Sequence, residues 1–195
     1  MPIVYLVRHG RAAATGTDPL DPELDSEGHG QARLAARDLQ ARISVPLRIL
    51  HSPLQRCRQT AIPLAQLWHT EPLLEPRVSE IPSPQLTGHA RMRWLQRAFS
   101  ATWTELERLE NDRRAGYGLE LAEWRSGVLD AILACPSDTV IFSHFMPINA
   151  IVGAALRQER VVCFRPAHAS VTIVDTSDRT ARLIELGRDA ASDVR

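Results

Sequence analysis

The chain has 195 residues, 44% of them apolar, which is enough to bury a core and excludes the composition of a disordered chain. Its 23 basic residues balance 23 acidic ones, so no net field draws it to nucleic acid or a membrane surface, and any anion site must be local. Every basic residue is arginine, which excludes chemistry that needs lysine, such as P-loop phosphate binding or Schiff-base formation.

Residues 3–7 are a short, continuously apolar, β-branched run of the kind found in a buried central strand, and the run stops at Arg8, His9 and Gly10. Residues 11–25 are rich in Gly, Thr, Asp and Pro and predict a loop. Asp25 or Ser26 can then cap a helix with Ala32, Ala35 and Leu39 on one face. Residues 47–51 are the next strand, followed by Ser52 as N-cap and Pro53 at the first position of a helix carrying Leu54, Cys57, Ala61, Leu64 and Trp68. Pro63 should kink or shorten that helix. Residues 73–84 are proline-rich and irregular, with a short strand near Val78.

Two periodic helices follow, one carrying Met92 through Leu109 and one carrying Leu121 through Cys135, joined in a hairpin around Gly116, Tyr117 and Gly118. Residues 139–143 form another buried strand ending at His144, and a helix runs over 147–156. The last strands are expected at 161–164, 171–175 and 183–186. The alternation predicts an α/β fold: a three-layer sandwich with a mostly parallel central sheet flanked by helices. Residues 1–187 are expected to be one domain with a helical cap at about 89–135, and 188–195 a frayed tail.

Cys57, Cys135 and Cys163 are odd in number and widely spaced, which fits reduced thiols in the cytoplasm better than a disulfide framework. No apolar run is long enough to span a bilayer, and no targeting segment is visible. No paired His or Cys spacing points to a metal site.

Polar groups stand directly after three predicted strands: Arg8 and His9, His51 and Ser52, and His144. The carboxyl ends of parallel strands line one edge of an open sheet, so these groups can meet there. A histidine at such an edge can attack phosphorus while a guanidinium holds the phosphate oxygens; the bland alternative is a solvated turn.

An ordered set of segments distinguishes these alternatives. They are residues 4–10 (through Arg8, His9 and Gly10), 26–32 (with Glu27, Gly28 and Gln31), 52–61 (with Arg56, Cys57, Arg58 and Thr60), 78–81 (with Glu80), and 141–144 (ending at His144). Together they resemble the histidine phosphatase superfamily, also called phosphoglycerate mutase-like, over residues 3 to about 175. The resemblance implies His9 as a nucleophile that becomes phosphohistidine, Arg8 and Arg56 as phosphate-pocket arginines, Glu80 as proton donor and His144 as the second pocket histidine.

Arg56 and Arg58 point about 200° apart on a helix, so only one can enter the pocket; the match selects Arg56 and leaves Arg58 solvated. Ser52 is read as an N-cap and not a phosphate ligand, His29, His51 and His69 as structural, and His168 as a candidate for the pocket wall.

The chain also departs from the family pattern. The usual Glu-Thr after Arg-His-Gly, and the phosphate-touching Asn that follows, are replaced by Arg11, Ala12, Ala13 and Ala14, so that contact is either missing or supplied by Thr15 and the Gly16 amide. Phe145 follows His144 where Gly is common. The expected activity is hydrolysis of a phosphomonoester, without metal or organic cofactor, on a small phosphorylated metabolite or a phosphohistidine protein. A phosphomutase of the same fold is one alternative, and a phosphate-binding regulatory module of low turnover is the other. Nothing points to nucleic acid or membrane partners, and the oligomeric state stays open.

Overall fold

Short apolar runs alternating with amphipathic segments build a six-stranded sheet between helical layers. The computed structural model describes residues 2–13, 21–84, 86, 88–112 and 116–190. Its strands are β1 (Ile3–Arg8), β2 (Arg48–His51), β3 (Leu73–Leu74), β4 (Thr139–Ser143), β5 (Val171–Asp175) and β6 (Arg182–Glu185), in the order β3-β2-β4-β1-β5-β6. β1 pairs parallel with β4, and β2 pairs parallel with both β3 and β4; β5 runs antiparallel to β1 and β6. The helices are α1 (Ser26–Arg42), α2 (Gln55–Trp68), α3 (Gly88–Ser100), α4 (Trp103–Asn111), α5 (Leu121–Leu133) and α6 (Phe145–Leu156).

The two faces of the sheet follow from the period-two alternation of its strands. Val7, Ile49, Val140, Phe142 and Ile173 pack against α1 and α2, whereas Val4, Leu6, Leu50, Ile141 and Val174 pack against α5 and α6. A third cluster joins α3 and α4 to Met146 and Ala150 of α6 through Trp94, Trp103 and Leu106. The three-layer sandwich with a mostly parallel sheet is therefore what forms.

Several local expectations are corrected. The helix expected across Met92 to Leu109 is two helices, broken at Ala101. Thr102 caps α4 by accepting from Glu105 N at 3.3 Å, while its own amide donates to Glu105 Oε2 at 2.8 Å. Apolar periodicity runs through the break because both helices feed one cluster, so only this capping box marks it. The strand expected at 161–164 is absent: Asn149 Oδ1 accepts the amides of Cys163 at 2.8 Å and Phe164 at 3.1 Å, taking the place of a strand partner. Near Val78 the chain forms a 3₁₀ turn, Pro76–Val78, with the short β3 before it.

Ser52 and Pro53 do not open α2. The helix starts at Gln55, whose amide donates to Asp21 Oδ1 at 2.9 Å, and it runs through Pro63 without shortening. α6 starts at Phe145 and not at residue 147. Residues 188–190 hydrogen-bond the 165–167 segment, and 191–195 lie outside the described residues, as do 113–115 next to the predicted Gly116 turn. Among the described residues no helix is long and apolar enough to cross a membrane.

Candidate active site

Parallel register brings the strand ends together. Arg8 of β1 stands opposite Ser143 of β4, and His51 of β2 opposite Phe142. The next residues, His9, Ser52 and His144, therefore emerge at one edge. His9 N donates to Ser143 O at 2.9 Å, Ser52 N donates to Phe142 O at 3.0 Å, and the rings of His9 and His144 lie 5.2 Å apart, edge to face. Gly10 is required by close backbone approach: a Cβ there would stand 2.6 Å from Gly28 O at the start of α1. Its amide donates to Thr60 Oγ1 at 3.0 Å, which ties the loop to α2.

His9 is buried, with one nitrogen committed and one presented. Gly10 O only accepts, so Nδ1 carries the proton that it receives at 2.7 Å; Nε2 is left with its lone pair facing Arg56 Nε at 3.3 Å. Burial above all, then the Arg56 cation, holds this imidazole well below its ordinary pKa of 6.5. His144 is fully buried and likewise held well below 6.5, by burial first and then by His9 and Arg56, so it is a neutral hydrogen-bonding histidine and not a cation. Its Nε2 lies 2.7 Å from Ser52 Oγ and 3.3 Å from the Cys57 thiol. The hydroxyl read as a helix cap thus holds His144.

Arg8 donates from Nη1 to Pro166 O at 2.7 Å and from Nη2 to His168 Nε2 at 3.1 Å, and its guanidinium lies 5.3 Å from the centre of the Phe145 ring. The turn that places His168 there is strained. Ala169 sits at φ +53°, a left-handed backbone rare for a residue with a Cβ, and its amide donates to Arg8 O at 3.0 Å. Arg56 is 9% exposed and keeps Nη1 3.6 Å from Asp21 Oδ1, while Arg58 is exposed on another side of α2. Arg8 Nε and Arg56 Nη1 are buried with no hydrogen-bond partner among the described residues. An oxyanion bound at these guanidiniums would accept from both nitrogens.

Glu80 reaches the same place from the loop after the 3₁₀ turn. Ser143 Oγ donates to Val78 O at 2.7 Å, and Trp124 Nε1 to Ser79 O at 3.2 Å, holding that loop against β4 and α5. Glu80 Oε1 accepts the amides of Ile81 at 3.0 Å and Met146 at 3.1 Å. Burial pushes its carboxyl above the usual carboxylate range, a tendency that those two bonds and the Arg56 and Arg8 cations oppose. Arg8, Arg56 and Glu80 line one part of a cavity of about 410 Å³ whose other wall belongs to α3 and the start of α6. A larger cavity of about 480 Å³, between α1 and β6, contains none of these groups.

The structure therefore brings His9, Arg8, Arg56, Glu80 and His144 to one edge, and adds His168 beside Arg8. Thr15 and Gly16 lie outside the described residues. His29 and His69 are exposed, and His51 is buried with Nδ1 donating to Ser52 O at 2.8 Å. Sequence reasoning missed Asp21 as the partner of Arg56, Ser52 as the partner of His144, and Arg165 on the cavity rim. Asp21 and Arg165 stand in no recognisable spacing, whereas Ser52 follows a predicted strand as His9 and His144 do, and only its partner was not legible. Among the described residues no three His, Cys, Asp or Glu side chains are grouped to hold a metal ion.

The sequence matches the profile of the histidine phosphatase superfamily (branch 1) over residues 4–189. Among solved structures, a mycobacterial glucosyl-3-phosphoglycerate phosphatase complexed with VO3 is 23% identical, with a TM-score of 0.71, covering 97% of this chain and 100% of that one. A phosphoserine phosphatase from Entamoeba histolytica, in complex with 3-phosphoglyceric acid, is 20% identical, with a TM-score of 0.70, covering 97% and 98%. A protein from Thermus thermophilus is 24% identical, with a TM-score of 0.63, covering 95% and 99%. These likenesses show a shared fold. No curated protein matches the chain in sequence.

Proposed function

The chain belongs to the histidine phosphatase superfamily, and from that membership and the geometry at the sheet edge we propose that it hydrolyses a phosphomonoester through a phosphohistidine on His9. The observation that carries the proposal is the pairing of a neutral His9, its Nδ1 tied to Gly10 O and its Nε2 unprotonated and met only by Arg56 Nε at 3.3 Å, with two buried guanidiniums each holding one nitrogen that has no hydrogen-bond partner among the described residues. Nε2 attacks phosphorus as the ester P–O bond breaks, and the Glu80 carboxyl gives its proton to the departing oxygen. The Glu80 carboxylate then takes a proton from water. The water oxygen attacks phosphorus, the N–P bond breaks, and His9 is restored as inorganic phosphate leaves.

Arg8 and Arg56 stabilise the charge on the three equatorial oxygens, which is most of what phosphoryl transfer asks of a protein. His144, fixed by Ser52, is the second imidazole at the phosphate. No step uses a metal. Small phosphorylated metabolites are the substrate class to try first, since glucosyl-3-phosphoglycerate and phosphoserine phosphatases stand among the similar structures; a phosphohistidine protein is a further candidate. The buried or half-buried, unpaired cysteines are consistent with work in the reducing cytoplasm.

The test is phosphate release from a panel of phosphorylated metabolites and one phosphohistidine protein, with a chelator present, by wild type and His9→Ala. Release by wild type alone, blocked by vanadate, is expected. Equal release by His9→Ala contradicts the proposal. Label exchange between phosphorylated and free substrate without net release would point to a mutase, and phosphate binding without turnover to a regulatory module.

A further inference from the structure

Beyond the phosphate end, the cavity has a chemistry of its own. Ile81, Trp94, Leu95, Phe99, Phe145 and Met146 line it, and among the described residues only Ser83 and Arg165 add polar side chains there. The indole N–H of Trp94 is already committed: it donates to the buried Glu110 Oε1 at 2.8 Å, and Glu110 Oε2 takes the Tyr117 amide at 3.0 Å. The tryptophan thus keeps its one polar atom inside the cap.

Phe99 and Phe145 stack at 5.6 Å, and the Phe145 ring in turn lies against the Arg8 guanidinium. The apolar wall therefore begins beside the arginine that faces phosphate. A hydroxylated leaving group moved from water to this wall would lose hydrogen bonds it has few partners to replace, whereas a hydrocarbon group would gain.

We propose that this wall is a subsite for an apolar group, about the size of an aromatic ring or a branched alkyl chain, carried on the phosphate ester, with Leu95, Phe99 and Phe145 determining specificity. This rests on reading the neighbouring residues as a phosphomonoesterase site. It makes polyol phosphates poor substrates and aryl or branched-alkyl phosphates good ones.

Binding of non-hydrolysable phosphonates by calorimetry tests the subsite apart from turnover. Benzylphosphonate is expected to bind about thirtyfold tighter than methylphosphonate, the worth of roughly 80 Å² of buried apolar surface. Phe99→Ala and, separately, Leu95→Asn are expected to shrink that ratio several-fold. The ratio is taken within each variant, so partial loss of folded protein does not imitate the effect. In turnover, benzyl phosphate should exceed glycerol phosphate in kcat/KM by about tenfold or more; both are esters of simple alcohols that need the same protonation to leave, so leaving-group basicity does not account for the difference.

Equal binding of the two phosphonates, or a ratio untouched in both variants, overturns the subsite while leaving phosphatase activity intact. Tight benzylphosphonate binding with no hydrolysis of any ester keeps the subsite and overturns the phosphatase reading. Binding of neither phosphonate overturns the subsite, and overturns the phosphatase reading as well only when no ester is hydrolysed.

Discussion

Replacing Arg56 by alanine removes three things at once. The first is a buried guanidinium available to the transferring phosphoryl oxygens, since Nη1 has no hydrogen-bond partner among the described residues. Loss of one such preorganised donor costs on the order of 3 kcal/mol in the transition state, or about 10²-fold to 10³-fold in rate. The second is the cation 3.3 Å from His9 Nε2 that helps to keep the imidazole neutral; without it the His9 pKa rises toward 6.5 and the acid limb of the pH–rate profile moves up. The third is the positive partner 3.6 Å from Asp21, whose carboxylate then repels the incoming phosphate.

All three act in the same direction, so kcat/KM should fall at least about a hundredfold, whereas Arg58→Ala, on an exposed position of the same helix, should change it by no more than about twofold. The assay is pre-steady-state phosphoryl transfer, with vanadate inhibition as a second readout, because a mimic of the trigonal bipyramid should lose affinity in step with the rate. Equal losses in Arg56→Ala and Arg58→Ala, or a folded Arg56→Ala variant within about fivefold of wild type, would refute the placement of the phosphate.

Glu80→Gln should slow phosphorylation of His9 by an alkyl phosphate far more than by a nitrophenyl phosphate, because only the alkoxide needs a proton as it leaves; single-turnover rates that fall alike for both would remove Glu80 as the acid. His9 and His144 are both held below 6.5 in the folded chain, so as pH falls from 6.5 the unfolded chain binds protons that the folded one does not. Their contribution to stability is complete above pH 6.5 and is lost below it, by up to about 1.4 kcal/mol per pH unit for each group. Urea denaturation at pH 7.5, 6.5 and 5.5 reads this, and a flat stability across that range contradicts it. Gly10→Ala sets a methyl 2.6 Å from Gly28 O, backbone against backbone, and should cost about 1–3 kcal/mol in thermal denaturation along with most of the activity.

The sheet and its catalytic edge were legible because buried strands are continuous apolar runs and each ends abruptly at a polar group. That pattern puts Arg8, His9 and His144 at one edge together with His51 and Ser52, and the resemblance picked the three from among them. Helix phase separated Arg56 from Arg58 and the resemblance selected Arg56, which shares the buried side of Cys57, Thr60, Ala61 and Leu64 while Arg58 faces water. Glu80 had no periodicity to announce it and was legible only by resemblance.

What escaped depends on contacts between segments distant in sequence. Asp21 meets Gln55 and Arg56 from a loop of no regular pattern, and Ser52 looks like a helix cap until the fold sets His144 2.7 Å away. The apolar run at 161–164 reads as a strand because nothing local reveals that the side chain of Asn149 takes its amides. The break between α3 and α4 was written in Thr102 and Glu105, but the apolar period across it was the louder signal.

The central claim is a covalent bond from His9 Nε2 to phosphorus. Rapid quenching of the enzyme with a phosphorus-labelled substrate, followed by peptide mapping and phosphorus NMR of the isolated peptide, tests it most directly. An acid-labile label is expected on the peptide containing His9, attached at Nε2 because Nδ1 keeps its proton in a hydrogen bond to Gly10 O. A label on Nδ1 or on any other residue, or turnover under conditions in which no label forms on His9, would contradict it.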